Sequence, residues 1–209
     1  MYYTRYLLVL WMIFGLSACA NIGKESLNNT QSQSIFVLMQ TSMGDMKIEL
    51  YADAAPISVA NFLQYVDKGA YTDGSFYRVV RRDNDKGNPK ITVVQGAANE
   101  QFTEFAPIEL ESTQQTGIKH LDGTLSMARL GPNTATHEFF VCIGAQSGLD
   151  FAAKRHPDGL GFAAFGRVVE GMDVARRINQ IRAAKATDDP YLAGQLLAQP
   201  VIIQSVKRL

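Results

Sequence analysis

Residues 76–80, Phe-Tyr-Arg-Val-Val, decide how this chain folds when they are considered with residues 93–96, Val-Val-Gln-Gly, and residues 139–141, Phe-Phe-Val. Each stretch is short and rich in β-branched and aromatic residues, which predicts a β-strand. Successive side chains of a strand point to opposite faces, so residues two positions apart share a face. Each stretch therefore places one polar or aromatic side chain on the same face as the residues two positions before and after it. We therefore expect Arg78 to lie above an apolar slot.

Further short apolar runs, bounded by turn-forming residues, predict more strands of the same kind. Strands are expected at residues 35–40, 46–51, 76–80, 91–95, 124–128, 138–143, 163–169 and 201–206, and helices at about 56–68 and 172–182. Many short strands with only two helices indicate a barrel with covered ends. The predicted fold class is all-β dominated: a closed antiparallel eight-stranded β-barrel capped by two α-helices.

The composition fits one globular domain with a core of its own, which we expect at residues 34–209. Of the 209 residues 46% are hydrophobic, and 20 basic residues balance 20 acidic ones. A net charge of zero lacks the basic surplus that phosphate contacts need. No nucleic acid partner is therefore expected.

The first residues differ in kind from the rest of the chain. Residues 2–5 form a weakly positive head, and Tyr6–Leu16 are almost all apolar. An apolar run of about 11 residues is too short for a bilayer-spanning helix, which needs about 20. Such a run is typical of a secretory signal. The sequence Leu16-Ser17-Ala18-Cys19 that follows resembles the lipoprotein box of bacteria.

This resemblance implies a signal peptide at residues 1–18, a lipid on Cys19 that holds the protein on a membrane, and a polar tether at residues 19–33. Ala20, rather than aspartate, follows the cysteine, which by the same resemblance favours the outer membrane. The expected location is the cell envelope, lipid-anchored and facing the periplasm. The alternatives are a plain signal peptide with an incidental cysteine and a short anchor that stays attached.

The order and spacing of several motifs make residues 35–207 resemble the cyclophilins, the barrel-shaped peptidyl-prolyl cis–trans isomerases. The motifs are Ala55-Pro56 with Val59-Ala60-Asn61-Phe62, Phe76-Tyr77-Arg78-Val79, Gln95-Gly96, Gly123-Thr124-Leu125-Ser126-Met127-Ala128, Gly131-Pro132-Asn133-Thr134, Glu138-Phe139-Phe140 and Phe165-Gly166-Arg167-Val168. The resemblance implies an isomerase that uses no cofactor and no metal.

The chemistry of this activity calls for a fixed cation. An X–Pro bond isomerises in tens to hundreds of seconds because resonance gives its C–N bond partial double character. Millisecond turnover needs a factor of about 10⁵, or ~7 kcal/mol. A donor to the prolyl nitrogen bonds more strongly once the bond has twisted, which accelerates the reaction. The resemblance assigns this role to Arg78, whose guanidinium is rigid and always charged; a surface salt bridge is the alternative.

The resemblance also implies a set of substrate-binding residues around the arginine. Phe140 would floor the proline pocket, and Val93 and Leu149 would form its walls. Gln95 and Glu138 match positions that bond the peptide backbone or orient the arginine. The whole expected substrate-binding set is Val93, Gln95, Ala128, Arg129, Glu138, Phe140, Leu149 and Phe162. Alternation places Phe139 and Val141 on the opposite face, in the core.

Several positions depart from the cyclophilin pattern. Thr92 stands where a pocket phenylalanine is expected and Val93 replaces a methionine, which predicts a looser slot. Gly148 stands where cyclophilins carry a tryptophan that contacts cyclosporin, so weak cyclosporin binding is expected. Arg129 replaces an asparagine, and Phe162 replaces a histidine.

Other arrangements of polar residues point to no second chemistry. Asp83, Asn84 and Asp85 lack the spacing of a calcium loop and predict a solvated turn. His137 and Cys142 are five positions apart on one predicted strand, on opposite faces, so we interpret Cys142 as a small core residue. His120 and His156 have no ligand-like spacing, and no metal site is expected.

These patterns predict a monomeric peptidyl-prolyl cis–trans isomerase that assists the folding of exported proteins and binds proline-containing polypeptides. The alternatives are a non-catalytic module or chaperone that holds such polypeptides in the same groove, which Thr92 and Val93 favour, and a structural envelope protein with a vestigial groove.

Overall fold

The structure, a computed structural model, describes residues 34–209. The predictions for the signal peptide, for Cys19 and for the tether lie outside the described residues. The strands are β1 (Ile35–Thr41), β2 (Gly44–Leu50), β3 (Gly74–Val80), β4 (Val93–Ala97), β5 (Thr124–Met127), β6 (Phe139–Cys142), β7 (Ala164–Glu170) and β8 (Leu196–Arg208). The helices are α1 (Pro56–Asp67), α2 (Thr113–Thr116) and α3 (Met172–Asn179), with a 3₁₀ turn at Ser147–Leu149.

The eight strands close into an antiparallel barrel in the order β1-β2-β7-β5-β6-β4-β3-β8, and the β1–β8 pair completes the ring. The predicted fold class is thereby confirmed. The long helices are the two that the sequence predicts, although α3 ends at Asn179. The four-residue α2 was not predicted.

The last strand begins five residues earlier than the sequence suggests, because Pro200 does not interrupt it. Leu196 pairs with Arg78 and Val201 pairs with Phe76, so the register of β8 against β3 shifts between these pairs. Pro200 lies inside this irregular stretch, where its missing N–H removes no regular ladder bond.

The barrel interior and the two long helices share one apolar core. Phe62 of α1 is fully buried, and its ring lies 5.8 Å from that of Phe139 and 5.4 Å from that of Phe165. Ala175 and Ile178 of α3 are also fully buried in this core. Each helix therefore covers the barrel with its apolar side, as its helical spacing predicts.

The carboxylate of Glu111 fixes the start of α1. It accepts hydrogen bonds from the backbone N–H groups of Ile57 at 3.0 Å and Ser58 at 2.7 Å, and from the Ser58 hydroxyl at 2.6 Å. Amides in the first turn of a helix have no partner within the helix and carry partial positive charge. Glu111 thus ties the long segment before β5 to the helix.

A β-bulge in β3 turns Arg78 away from the barrel interior. Phe76 and Val79 are both fully buried in the core although they are three positions apart, and strict alternation would have placed Phe76 and Arg78 on one face. The register of β3 shifts between Phe76 and Arg78 against both β4 and β8. The extra residue, Tyr77, reverses the alternation, so Arg78 and Val80 lie on the outer face.

Candidate functional site

A second apolar cluster lies on the outer face of the barrel, separate from the core. Its buried members come from β3, β4, β6 and the connecting segments, and Ala128 and Phe162 pack against them. The buried members are Val80, Ile91, Val93, Phe140, Cys142 and Leu149. The predicted floor and both predicted walls of the pocket are therefore in one cluster, and Leu149, from the 3₁₀ turn, is among them.

The cluster is tightly packed. Val93 is 3% exposed, Phe140 is 5% exposed and Leu149 is 1% exposed. The ring of Phe162 meets that of Phe140 edge-on at 5.6 Å. Phe162 and Leu149 thus belong to the same cluster as Phe140, and the looser slot expected from Thr92 and Val93 stays a prediction.

Arg78 and Phe140 belong to one row of side chains that crosses the outer face. In the ladder Arg78 pairs with Gln95, and Gln95 pairs with Phe140. Neighbouring strands are about 4.8 Å apart, so two spacings separate the Arg78 and Phe140 backbones by about 10 Å. The guanidinium itself is held between Gln95 of β4 and Gln195, which precedes β8.

Two amide side chains hold the guanidinium. The Gln95 Oε1 atom accepts from Arg78 Nη1 at 3.0 Å, and the Gln195 Oε1 atom accepts from Nε at 2.9 Å and from Nη2 at 2.6 Å. The ring of Tyr191 lies 5.4 Å from the guanidinium carbon. Sequence reasoning missed Gln195 and Tyr191, because residues 183–195 belong to no predicted element and carry no periodic signal.

The Glu138 carboxylate is joined to Arg78 by hydrogen bonds through Gln95. The Gln95 amide nitrogen donates to Glu138 Oε2 and to Tyr77 Oη, both at 2.8 Å, and the Tyr77 hydroxyl donates to Glu138 Oε1 at 3.0 Å. Burial, then the charge of Glu138, raises the pKa of Tyr77. The phenol therefore stays protonated, and the network leaves the Gln95 carbonyl oxygen facing Arg78.

A buried polar chain supports the Phe140 ring. The His120 ring stacks on Phe140 at 6.0 Å, with 17° between the planes. Its Nδ1 lies 2.8 Å from Asp150 Oδ1 and its Nε2 lies 3.0 Å from Ser126 Oγ. Burial acts to raise the pKa of Asp150, yet hydrogen bonds from the His120 ring and backbone hold it below its ordinary value. Ser126 is fully buried, so this Ser-His-Asp chain holds the ring and offers no nucleophile.

Arg129 holds a loop beside the cluster. Its guanidinium donates to both carboxylate oxygens of Asp158, at 2.8 and 2.9 Å, and to the Gly161 carbonyl oxygen at 2.9 and 2.5 Å. It also lies 5.1 Å from the ring of Phe162. The hydrogen bonds from Arg129 hold the pKa of Asp158 well below its usual range. The neighbouring Ala128 N–H donates to the Glu138 carbonyl oxygen at 2.9 Å.

Residues 83–90 are an ordered loop, so the prediction of a solvated turn is wrong for Asp85. The Asp85 side chain has no exposed surface and forms a two-pronged ion pair with Arg155. Its carboxylate also accepts from the backbone N–H groups of Gly87 and Ile91. Its partner lies 70 positions away in the chain, which no local pattern reveals.

The remaining polar candidates are structural. His137 bonds to the Ala98 backbone N–H and to Glu104, whereas Cys142 is fully buried in the outer cluster, where burial raises the pKa of its thiol. Within residues 34–209 no group of three or more His, Cys, Asp or Glu side chains is arranged to hold a metal ion. In the same range no helix has the length and apolarity to cross a membrane.

Comparison with known proteins gives the family. The model of the family "Cyclophilin type peptidyl-prolyl cis-trans isomerase/CLD" matches residues 36–208. The chain belongs to the cyclophilin-type peptidyl-prolyl cis–trans isomerases. The resemblance that the sequence motifs carry is confirmed, as is the prediction of an enzyme of this class.

Bacterial cyclophilins are among its relatives. The peptidyl-prolyl cis-trans isomerase A of Dickeya dadantii is 33% identical over 178 residues, covering 83% of this chain and 84% of that protein. An isomerase of Acinetobacter baylyi is 34% identical, covering 89% of each chain. The isomerase B of Escherichia coli K12 is 32% identical, covering 81% of this chain and 97% of that protein.

Solved structures show the same fold. A cyclophilin-type isomerase of Cryptosporidium parvum superposes with a TM-score of 0.64 at 20% identity, covering 84% of this chain and 98% of that one. A second crystal structure of that protein, obtained in the presence of the dipeptide Ala-Pro, superposes with a TM-score of 0.62.

In this cyclophilin, Pro89 occupies the space beside Gly148. A Cβ atom at position 148 would lie closer to the Pro89 Cγ atom than side chains approach in proteins. A hollow of about 680 Å³ opens next to this contact, lined in part by Arg82, Lys90 and Gln146. The loop at residues 83–90 therefore leaves no room for a larger side chain at position 148.

Proposed function

We propose that this cyclophilin catalyses the rotation of X–Pro bonds through Arg78, over a proline pocket floored by Phe140. The observation that carries the proposal is the row from Arg78 through Gln95 to Phe140 on the outer face of the barrel. This row supports a guanidinium that acts beside a buried aromatic ring and an aliphatic wall. These are the two parts that prolyl isomerisation requires.

The guanidinium keeps two N–H groups for the substrate. Arginine has five N–H donors, and the bonds to Gln95 and Gln195 use three of them. One N–H on each terminal nitrogen remains. As the prolyl bond twists, the nitrogen lone pair leaves resonance with the carbonyl and accepts a hydrogen bond that the planar amide cannot form. This interaction stabilises the transition state more than the ground state, so it raises kcat.

The apolar cluster supplies binding. A prolyl ring placed against Phe140, with Val93 and Leu149 as nearly fully buried walls, would remove its own apolar surface from water at about 25 cal/mol per Å². Phe162 and Ala128 border the cluster and are half-buried, so they are the nearest groups for residues that flank the proline. The crystallisation of the Cryptosporidium relative with Ala-Pro supports proline-containing peptides as the ligand class.

We place the enzyme in the cell envelope, where it acts as a monomer on exported proteins. The support is the sequence Leu16-Ser17-Ala18-Cys19, which resembles a lipoprotein box. A lipid on Cys19 would hold the domain at a membrane, with about 0.8 kcal/mol for each buried methylene group. Mass spectrometry of the N-terminus of the protein purified from membranes tests this part: a diacylated Cys19 supports it, and an unmodified residue beyond Cys19 contradicts it.

The activity is tested by measuring turnover and binding on the same peptide. The rate of cis–trans exchange in a tetrapeptide with a central Ala-Pro bond is measured by NMR at a series of enzyme concentrations, and affinity is measured by titration. A rate that rises in proportion to enzyme supports catalysis. Binding without acceleration would instead indicate a module that only holds proline-containing chains, and the absence of both would indicate a vestigial groove.

A further inference from the structure

Gln195 is the side chain that fixes the direction of the Arg78 guanidinium. It directly precedes β8, has no exposed surface, and accepts two of the three hydrogen bonds that Arg78 makes to described residues. We propose that Gln195 is a positioning residue for Arg78, a neutral acceptor that holds the guanidinium in line with the pocket without neutralising its charge. The inference deepens the proposed function and rests on it.

The position of Gln195 is fixed at its backbone and at its amide. Its carbonyl oxygen accepts from the Val79 backbone N–H at 2.9 Å, next to Arg78 itself. Its amide nitrogen donates to the Asn84 carbonyl oxygen at 3.0 Å. Because a carbonyl oxygen can only accept, this bond requires the amide nitrogen on that side and leaves Oε1 facing Arg78.

Asn84 links the segment that carries Gln195 to the strand that carries Arg78. Its side-chain amide donates to the carbonyl oxygens of Val79 at 3.1 Å and Gly194 at 2.9 Å. The residues that flank Arg78 and Gln195 are thus joined to each other through Asn84. Gln195 is held as firmly as the strand that carries the arginine.

The neutrality of Gln195 matters for the chemistry. All the hydrogen bonds that Arg78 makes to the described part of the chain end on amide oxygens, and the Glu138 carboxylate bonds to Gln95 and Tyr77 instead. A carboxylate at position 195 would form a charge-assisted pair with the guanidinium. The pair would weaken the positive field at the prolyl nitrogen. An amide keeps the geometry and preserves the charge.

The test compares Gln195→Ala and Gln195→Glu with Gln199→Ala in the full chain. Gln199 is an exposed glutamine of β8, four positions after Gln195, and it makes no side-chain hydrogen bond within residues 34–209. For each protein kcat and KM are measured by peptide exchange NMR. The Arg78 Nε–H resonance is also followed, because it reports directly on the hydrogen bond to Gln195.

We expect Gln195→Ala to shift the Arg78 Nε–H resonance and to lower kcat about 10- to 100-fold, as misplacement of a reacting group does, with KM changed less than twofold. Gln195→Glu should keep the Nε–H bond and still lose kcat. Gln199→Ala should match the wild type. A folded Gln195→Ala protein with wild-type kcat would overturn the inference, as would a fully active Gln195→Glu protein. Should Gln195→Ala fail to fold, the nearly isosteric Gln195→Glu decides.

The outcome separates this inference from the proposed function. If Arg78→Ala is inactive while Gln195→Ala and Gln195→Glu keep wild-type kcat, only the role of Gln195 is wrong. If Arg78→Ala itself keeps wild-type kcat, the proposed mechanism is wrong whatever the Gln195 variants do.

Discussion

Arg155 and Asp85 form a buried two-pronged ion pair, with Nη1 2.7 Å from Oδ2 and Nη2 2.8 Å from Oδ1. Arg155 also donates to the Pro89 carbonyl oxygen at 3.0 Å and to the Tyr191 hydroxyl at 2.9 Å. One guanidinium thereby joins three segments that lie far apart in sequence. Since the Tyr191 ring lies over the Arg78 guanidinium, the pair also supports the surroundings of Arg78.

The ion pair predicts a specific loss of stability in acid. Burial acts to raise the pKa of Asp85, but the bonds from Arg155, Gly87 and Ile91 outweigh it and hold the pKa below the ordinary 3.8. The stabilisation is therefore complete above pH 3.8 and is lost as the pH falls through the lower, folded-state value. Asp85→Asn should lower the free energy of unfolding by about 3–5 kcal/mol at neutral pH and flatten the decline of Tm as the pH falls below 3.8.

Thermal unfolding at a series of pH values checks this prediction. Asp83→Asn is the matched control, because Asp83 has a partner in Arg81 but its side chain is 74% exposed. Equal acid slopes for wild type and Asp85→Asn would show that the pair does not carry the effect.

The floor of the pocket predicts a change in substrate binding. Phe140→Leu keeps an apolar side chain but removes the aromatic ring. The binding free energy of the peptide should weaken by about 1 kcal/mol through the lost aromatic contact, which raises KM about fivefold. We expect kcat at saturating peptide to change little, because Arg78 and its amide partners are untouched. Phe36→Leu, on β1 under the Lys47 side chain, is the control. A lower kcat with unchanged KM would argue against a binding role for Phe140.

The contact between Pro89 and Gly148 predicts that a larger side chain is not accommodated at position 148. Gly148→Ala should destabilise the protein by about 1–3 kcal/mol through overpacking, and Pro89→Ala in the same chain should recover most of that loss by removing the clashing Cγ atom. Denaturant unfolding of the single and double variants measures both effects. Additive losses in the double variant would contradict the structure. Wild-type binding of cyclosporin is expected to be weak.

The hydrogen bonds that Glu111 accepts at the start of α1 predict a loss of stability when this carboxylate is replaced. Glu111→Gln replaces a charged acceptor of three hydrogen bonds with a neutral one that has a single acceptor oxygen. A loss of about 1–3 kcal/mol is expected in urea unfolding. Glu109→Gln, two positions earlier and exposed, should stay within about 0.5 kcal/mol of wild type. Similar losses for both variants would mean that overall charge, rather than the helix start, is responsible.

The parts of the site on regular strands could be predicted from the sequence. Alternation in β4 and β6 correctly separates Val93, Gln95 and Phe140 from the core residues Val94, Phe139 and Val141. The strand pairing that aligns them follows from the fold class. Because these strands obey the two-residue period, local pattern was sufficient there.

The remaining parts depend on contacts that local pattern does not encode. The bulge at Tyr77 adds one residue to β3 and decides that Arg78 faces outward, yet the same five residues would also read as a regular strand. Gln195 lies 117 positions from Arg78, and Arg155 lies 70 positions from Asp85. From the sequence alone, polar residues such as Asp85 and Gln195 are expected to be exposed to solvent, because their distant hydrogen-bond partners are not known.

The central claim is that Arg78 accelerates the chemical step, and exchange NMR on an Ala-Pro peptide with wild type, Arg78→Ala and Arg78→Lys tests it most directly. Arg167→Ala, an exposed arginine on β7, is the control. Removal of one transition-state donor lowers kcat by about 10²–10³, so we expect a loss of that size in Arg78→Ala, with Tm and peptide affinity near wild type and little rescue by lysine. A folded Arg78→Ala protein that turns over the peptide at the wild-type rate would contradict the account.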